Sequence, residues 1–532
     1  VLRPLPIALG VALAAAPALA LDVVSTSPAA YALAVPASLD RISVTFDAAP
    51  VVPPAGAFRV SGTMSGPKTG TPSVEGNTLH FDVGGDAWLP GEFVSVNLRS
   101  DVQTAVGDPL ANGRFFGFTI ASGAAALDWS TPAAWDASDV PYFIFGGDVD
   151  DDGNPDVVAP NEGTDDFSVF LNTSGHGFFA SRTDYGVGNV PSSIFGDDLD
   201  NDGDIDLASA NIASSTVSVA LNDGDGTFAP SVPYACGVTT RQVHGGDFDG
   251  DNDVDLCATS HNSDQVFLFY NRGDGAFDPG VPYGDVQAGP FAIRTGDYDG
   301  DGWLDIAVAC QDADSLTILR NDGDGTFTTT GKFRIGDGPW DMDRADMDGD
   351  GDVDVVSVTS FSDRIHVLVN DGAGNFPTRL FHHTGFFPIG VFCADADGDG
   401  DVDAACTNFT AGTAQVFTNG GTGQPVLQAT LPVDRSGSYP WLHDLDRDGD
   451  LDFSVVDELA DSLYVFYNGD SPVDVQLAHG GAAAPRLVAA PNPANAHDGT
   501  SLRVSGLAEP IRVDVFSVDG RRVRSLDALH WD

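Results

Sequence analysis

The pattern Asp-x-Asp-x-Asp-Gly-x-x-Asp recurs seven times in this chain at a nearly constant step. Its first aspartates are Asp148, Asp198, Asp247, Asp297, Asp346, Asp395 and Asp444, so the steps are 50, 49, 50, 49, 49 and 49 residues. A fixed period near 50 residues marks a repeat architecture rather than a string of unrelated domains. Four carboxylates spaced this closely repel one another unless a hard cation sits between them.

The spacing predicts a cation cage. Aspartates at positions 1, 3 and 5 of a tight loop point to one centre, and a glycine at position 6 takes a positive φ and turns the chain. The position 7 carbonyl then faces inward, and the aspartate at position 9 closes the cage. Oxygen-only ligation suits Ca²⁺. The expected ligands are Asp148, Asp150, Asp152 and Asp156 in the first loop, then Asp198, Asp200, Asp202 and Asp206 in the second. Asp247, Asp249, Asp251 and Asp255 form the third set, and Asp297, Asp299, Asp301 and Asp305 the fourth. The fifth is Asp346, Asp348, Asp350 and Asp354, and the sixth Asp395, Asp397, Asp399 and Asp403. Asp444, Asp446, Asp448 and Asp452 complete the series. Position 6 is glycine in six loops and Asn252 in the third, and position 8 is always apolar or proline, which predicts an inward-packed side chain. The alternative is seven solvated acidic turns without metal. The expected cofactor is about seven Ca²⁺ ions with a structural role.

Each loop sits within a longer repeat. An apolar run precedes it, a β-branched run follows, and a second alternating run leads to a turn of the type Asn-Asp-Gly-Asp-Gly-Thr-Phe, as at 222–228 and 321–327. A last extended run carries Tyr234, Tyr283 or Phe333. Four short strands per repeat with Gly/Asp turns predict a propeller blade. The seventh repeat lacks its Gly-x-Phe strand. Trp129 and Trp135 are six residues apart, like Phe228 and Tyr234, so residues 127–138 are expected to supply the outer strand of the last blade. Val473–His479 is the competing candidate.

The seven loops and the Asn-x-Gly-x-Gly-x-Phe turns resemble the FG-GAP/VCBS repeat family, whose best-known members are the integrin α-subunit propellers. The resemblance covers roughly residues 127–470. It implies an all-β fold with a seven-bladed β-propeller and Ca-binding loops, and mostly extracellular adhesion or ligand-binding roles. Some members are carbohydrate-active enzymes, so the repeat speaks to fold more than to function.

The expected organisation is a signal peptide at 1–20, a small β-sandwich at 21–122, the propeller at 123–470, a linker at 471–485 and a partial β module at 486–532. Arg3, the apolar run 7–18 and the Ala18-Leu19-Ala20 site have the pattern of a secretory leader, which places the protein outside the cell or on a bacterial surface. The sandwich has strands at 42–46, 58–61, 79–83, 93–98 and 115–120 and resembles bacterial Ig-like domains, which mostly act as spacers. The last module resembles C-terminal sorting or Ig-like modules of secreted bacterial proteins. It reads as incomplete, with a hairpin turn at Asp519-Gly520. The formal net charge is −54, with 78 acids against 24 Lys and Arg. Seven Ca²⁺ would bring it to about −40, which still repels nucleic acid and anionic membranes. No segment reads as membrane-inserting. The five cysteines have no metal-like spacing; buried free thiols are expected, with a Cys393–Cys406 pair as the alternative.

With the acidic loops on one face of the ring, the other face is free for a glycan or protein ligand. Tyr142, Arg241, Phe291, Trp340 and Tyr439 are the candidate ligand-binding residues, since aromatics and amides suit sugars or a protein surface. Each of these aromatics has an alternative role as packing between blades. The chain is expected not to be an enzyme. The rival is a polysaccharide lyase or dehydratase using His244, Arg294, Asp341 or Asp343 near the axis.

Overall fold

The computed structural model describes residues 20–84, 88–99, 101–110, 114–179 and 182–469, plus two short strand pairs beyond them. The leader at 1–20 lies outside the described residues except for Ala20, and so does most of 471–532. Of the C-terminal module, strands Val513–Phe516 and Arg522–Leu526 pair around the turn expected at 519–520. Asp474–Val475 pairs with Leu487–Val488.

Seven four-stranded antiparallel sheets occupy residues 133–466. In each, the strand before an aspartate loop is innermost, and in six of the seven the next three follow outward by simple hairpins, as in Pro290–Gly296, Asp305–Cys310, Ser315–Asn321 and Phe327–Arg334. The innermost strands pack one on the next around an axis, and Gly437–His443 of the last sheet meets Phe145–Gly147 of the first. This is a β-propeller. The second strands are buried along their whole length, because both faces meet neighbouring sheets; they are therefore runs such as Asp-Ile-Ala-Val-Ala-Cys rather than alternating ones. The outer strands alternate, as Phe327–Arg334 does.

The seventh sheet takes its outer strand from the other end of the chain. Ala133–Asp136 pairs antiparallel with Ser462–Phe466, and Trp129 bridges Asn468. Trp129 packs edge-on to Phe453 and Trp135 edge-on to Phe179. No open edge is left between first and last sheets.

Two sets of side-chain clips join neighbouring sheets. On the loop side, the asparagine opening each third-to-fourth-strand turn reaches back to the preceding loop. Asn321 Nδ2 donates to Phe248 O (2.8 Å) and Leu304 O (3.2 Å). Asn222, Asn271, Asn370 and Asn419 do the same in their own sheets, and Asn172 donates to Leu445 O (2.8 Å), closing the ring. On the far side, an aspartate in left-handed conformation accepts the N–H that opens the following sheet. Examples are Asp264 with Gly289 (2.8 Å), Asp314 with Gly338 (2.9 Å) and, across the closure, Asp461 with Val140 (3.1 Å). Buried carbonyls that lose a donor are costly. Asn321→Ala should therefore lower stability by about 2–4 kcal/mol. Asn468, whose amide reaches Leu451 O alone among the described residues, should cost about 1 kcal/mol on the same change. Equal losses in denaturant melts of the two variants would contradict the clip.

The N-terminal unit is two sheets around one core. One holds Val23–Ser27, Arg41–Phe46, Thr78–Val83 and Gly70–Glu75; the other holds Ala32–Val35, Arg114–Ile120, Phe93–Leu98, Phe58–Gly62 and Gly66–Pro67. Ile42, Val44, Phe81, Val94, Val96 and Phe118 fill the space between them. The expected spacer role does not match its position, because the unit is seated on the loop face of the ring. Asp148 N donates to Met64 O (2.7 Å), Phe115 N to Gly302 O (2.7 Å) and Gly123 N to Gly449 O (2.5 Å). Arg59 donates to Asn252 O (3.0 Å) and Asp198 O (2.9 Å) and pairs with Asp197 (3.1 Å). The apolar position 8 residues explain the fit. Leu304 shares a hydrophobic cluster with Phe115, Tyr31 packs against the cluster that holds Val353, and Leu33 against the one that holds Val402, so hydrophobic loop residues meet a hydrophobic face of the sandwich.

Candidate functional site

The aspartate loops all join a first strand to a second. Position 6 has the left-handed conformation, with φ of 90° at Gly302 and 70° at Asn252, where asparagine is the next most tolerant residue after glycine. The N–H of that residue donates to the position 1 carboxylate, as Gly302 does to Asp297 (2.9 Å) and Asn252 to Asp247 (3.0 Å).

In the first, second, fourth and fifth loops, oxygens of positions 1, 3 and 9 lie within 4.8 Å of one another; in the third, positions 1, 3 and 5 do. Position 5 otherwise turns partly aside. Its carboxylate accepts the N–H of position 7, as Asp301 does from Trp303 (2.9 Å) and Asp152 from Asn154 (2.9 Å). Position 9 is the buried anchor. Asp305 accepts from Tyr298 N (3.1 Å) and Asn321 N (2.8 Å), and the same pair of bonds recurs at Asp156, Asp206, Asp255, Asp354, Asp403 and Asp452. One carboxylate thus joins the cation cluster, its own loop and the asparagine turn that clips the preceding sheet. The recurrence of aspartate and asparagine was plain in the sequence; that each asparagine lies against each ninth-position aspartate was not.

The clusters have the chemistry of cation sites. Burial, reinforced by neighbouring carboxylates, raises the position 1 groups to about 7 at Asp148, Asp247, Asp297 and Asp444. It raises position 9 further, to about 8 at Asp206 and Asp403 and about 9 at Asp305. Carboxylate oxygens of Asp150, Asp297, Asp348, Asp444 and Asp446 are buried with no hydrogen-bond partner. Orphaned carboxylate oxygens converging within one loop fit a bound hard cation. The residues present can therefore hold metal ions, through oxygen ligands only.

On the opposite face, the ligand candidates separate into two depths. Trp340 Nε1 donates to Tyr142 OH (2.7 Å) across the mouth of the axial channel. Arg241 lies over the Phe291 ring (4.8 Å), and Phe291 packs on Trp340 (4.8 Å). Tyr142, Arg241 and Trp340 remain partly exposed, whereas Phe291 is buried beneath them. Tyr439 lies inside the channel, 3% exposed, stacked on Phe143 and bonded to Arg294, so it is a packing residue and not part of the outer surface. The aromatic surface continues instead through Phe387, 5.2 Å from Trp340, to Phe361 and Phe409. Phe361 and Phe386 are 64% and 68% exposed. Phe361 and Phe409 escape sequence reading, since they lie in polar hairpin turns.

The axial groups form a closed network. Asp341 accepts from Gln242 (3.1 Å) and Val391 N (3.0 Å), and Asp343 from Cys393 N (2.9 Å). Arg294 lies between them, 3.8 Å from Asp341 and 3.4 Å from Asp343. Burial raises Asp341 to about 6 against the opposing pull of Arg294. Burial, with Arg344 and Arg294 nearby, lowers His244 far below the usual imidazole range. These residues brace the inner strands. All five cysteines are free thiols.

Four FG-GAP-like repeats match this chain, at 198–258, 247–308, 297–357 and 346–406. No curated protein matches. Among solved structures, a WD40 β-propeller domain of Doa1 is 11% identical and aligns with 65% of this chain and 97% of its own, at a TM-score of 0.45. An Agrocybe aegerita lectin that recognises non-reducing terminal N-acetylglucosamine is 18% identical over 72% of this chain and 93% of its own, at 0.41. An auxiliary nutrient binding protein from Bacteroides thetaiotaomicron is 10% identical over 85% and 98%, at 0.38. Among the described residues no helix is long and apolar enough to cross a membrane.

Proposed function

We propose that the chain is a secreted or surface-displayed seven-bladed β-propeller, held by about seven structural Ca²⁺ ions, that binds an extracellular glycan or protein through the face opposite its aspartate loops. The carrying observation is the division of labour between faces. The loop face is covered by the N-terminal unit, through contacts at Met64, Arg59, Phe115 and Gly123. The other face keeps an aromatic arc from Tyr142 and Trp340 to Phe361 and Phe386. Flat aromatic rings offer apolar area to sugar faces or side chains at low entropic cost, and Arg241 adds directed hydrogen bonds. Bound Ca²⁺ would neutralise carboxylates that otherwise repel one another. Asp148, Asp150 and Asp156, and their equivalents, would hold it.

The protein acts in this reading as a binder and not as an enzyme, because the axial acid and base groups are committed to one another. Trp340→Ala and Arg241→Ala should each weaken glycan-array or cell-binding signals at least about ten-fold. Phe381→Ala, on an outer strand away from the arc, should leave them unchanged. Undiminished binding by both face variants would refute the assignment.

A further inference from the structure

A cavity of about 160 Å³ lies on the ring axis, between the innermost strands and the N-terminal unit. Its wall comes from the residue three places before each first loop aspartate, which points to the axis in every sheet. That position is Phe392, Trp441, Phe145 and Phe195 in four successive sheets around the closure, and His244, Arg294 and Asp343 in the other three. The wall is therefore two-sided. Its aromatic side is continuous: Phe392 lies 4.5 Å from Trp441, and Phe145 meets Trp441 edge-on at 5.6 Å. Phe93 and Tyr31 of the N-terminal unit form the roof.

On the polar side, Arg294 and Asp343 are paired with each other. Arg344 is different. Its guanidinium lies on the Phe93 ring (5.0 Å) and, among the described residues, it makes no ion pair. The Trp441 indole N–H is buried without an acceptor, packed against Gly146. Glu92, at the same roof, is saturated by Ser65 and by the N–H groups of Met64 and Leu89. Arg344, half-buried, is thus the free donor at the cavity wall, and it faces an apolar slot. Apolar cavities of about 150 Å³ admit one benzene ring. A half-buried guanidinium without an anion gains a charge-assisted hydrogen bond from a ligand that supplies a carboxylate.

We propose that this cavity binds a small planar aromatic carboxylate. Its ring fits the slot beside Phe392, Trp441 and Phe145, and its carboxylate accepts from Arg344. The far end of the channel is closed by Tyr439, Arg294 and Asp341, so entry is beneath the N-terminal unit. The site is independent of the outer aromatic face.

The test is calorimetric titration of the full chain, in calcium, with benzoate, benzylamine and toluene. Benzoate should bind one to one and raise the melting temperature, with benzylamine at least about ten-fold weaker. Arg344→Met should weaken benzoate by about ten-fold or more and leave toluene within about two-fold. Thr63→Phe, a change at an exposed position on the cavity rim, should abolish both. Absence of benzoate binding at millimolar concentration would overturn the proposal. So would equal affinity for benzylamine, or benzoate binding that survives Thr63→Phe.

Discussion

Removing metal at pH 8 should lower the melting temperature of the ring by about 4–14 °C, and the loss should shrink as the pH falls toward 5. Extracellular calcium sites bind at about 10⁻⁴–10⁻³ M, so at about 1 mM each adds roughly 0.4–1.4 kcal/mol. Seven such sites add about 3–10 kcal/mol. Unfolding entropy near 2.1 cal/mol/K per residue, over about 350 residues, converts each kcal/mol into about 1.4 °C. The pH dependence follows from the loops. Without metal, burial holds Asp148, Asp247 and Asp297 at about 7 and Asp305 at about 9, far above an unfolded aspartate at about 3.9. A raised carboxyl favours the folded state while it is protonated. That contribution is full below about pH 4 and is lost as the pH climbs through 7 to 9. The metal-free protein should therefore melt highest in mild acid and progressively lower toward pH 9. The metal-loaded protein should show the opposite slope, since protons compete for its ligands. Calorimetry with and without chelator, from pH 5 to 9, measures both curves. A metal-free melting temperature that rises with pH would overturn this account.

Ala133→Pro should cost the ring about 3 kcal/mol or more, about 4 °C, whereas its neighbour Ala134→Pro should be nearly neutral. The contrast comes from the closing strand. Proline has no N–H, so a proline within an outer strand marks a position whose N–H points away from the ladder. Pro233 pairs with Ser218 and Pro282 with Phe267. Those partners stand twenty residues behind Asp198 and Asp247, as Tyr464 does behind Asp444, and Tyr464 pairs with Ala134. Ala133, opposite Val465, then donates inward, and proline there frees the edge of the last sheet. The freed edge exposes Ser462–Phe466 to other chains, so aggregation on heating should accompany the loss. Thermal melts with light scattering check both variants. Equal tolerance of the two prolines would mean that the ring does not depend on this strand.

The repeat, its four strands and its acidic turns were legible because each depends on neighbours within about fifty residues. Period-two alternation, left-handed glycines and carboxylates two residues apart are local signals. The paired tryptophans 129 and 135 likewise marked the segment that lies on the last sheet. In the N-terminal unit, strands such as Val23–Ser27 and Gly70–Glu75 escaped, since they are exposed edge strands of mostly polar residues. Tyr439 read as a surface aromatic, yet its strand position aims it at the axis.

Local chemistry in the chain determined where each loop turns and which oxygens a cation would meet there. Tertiary structure alone decided that the N-terminal unit sits over those loops, that Arg344 is left without an acid and that six of the seven asparagines clip a neighbouring sheet. Those facts rest on contacts between residues fifty to several hundred positions apart. Such contacts follow from complementary shape and burial once the ring has closed, and they have no periodic trace in one dimension.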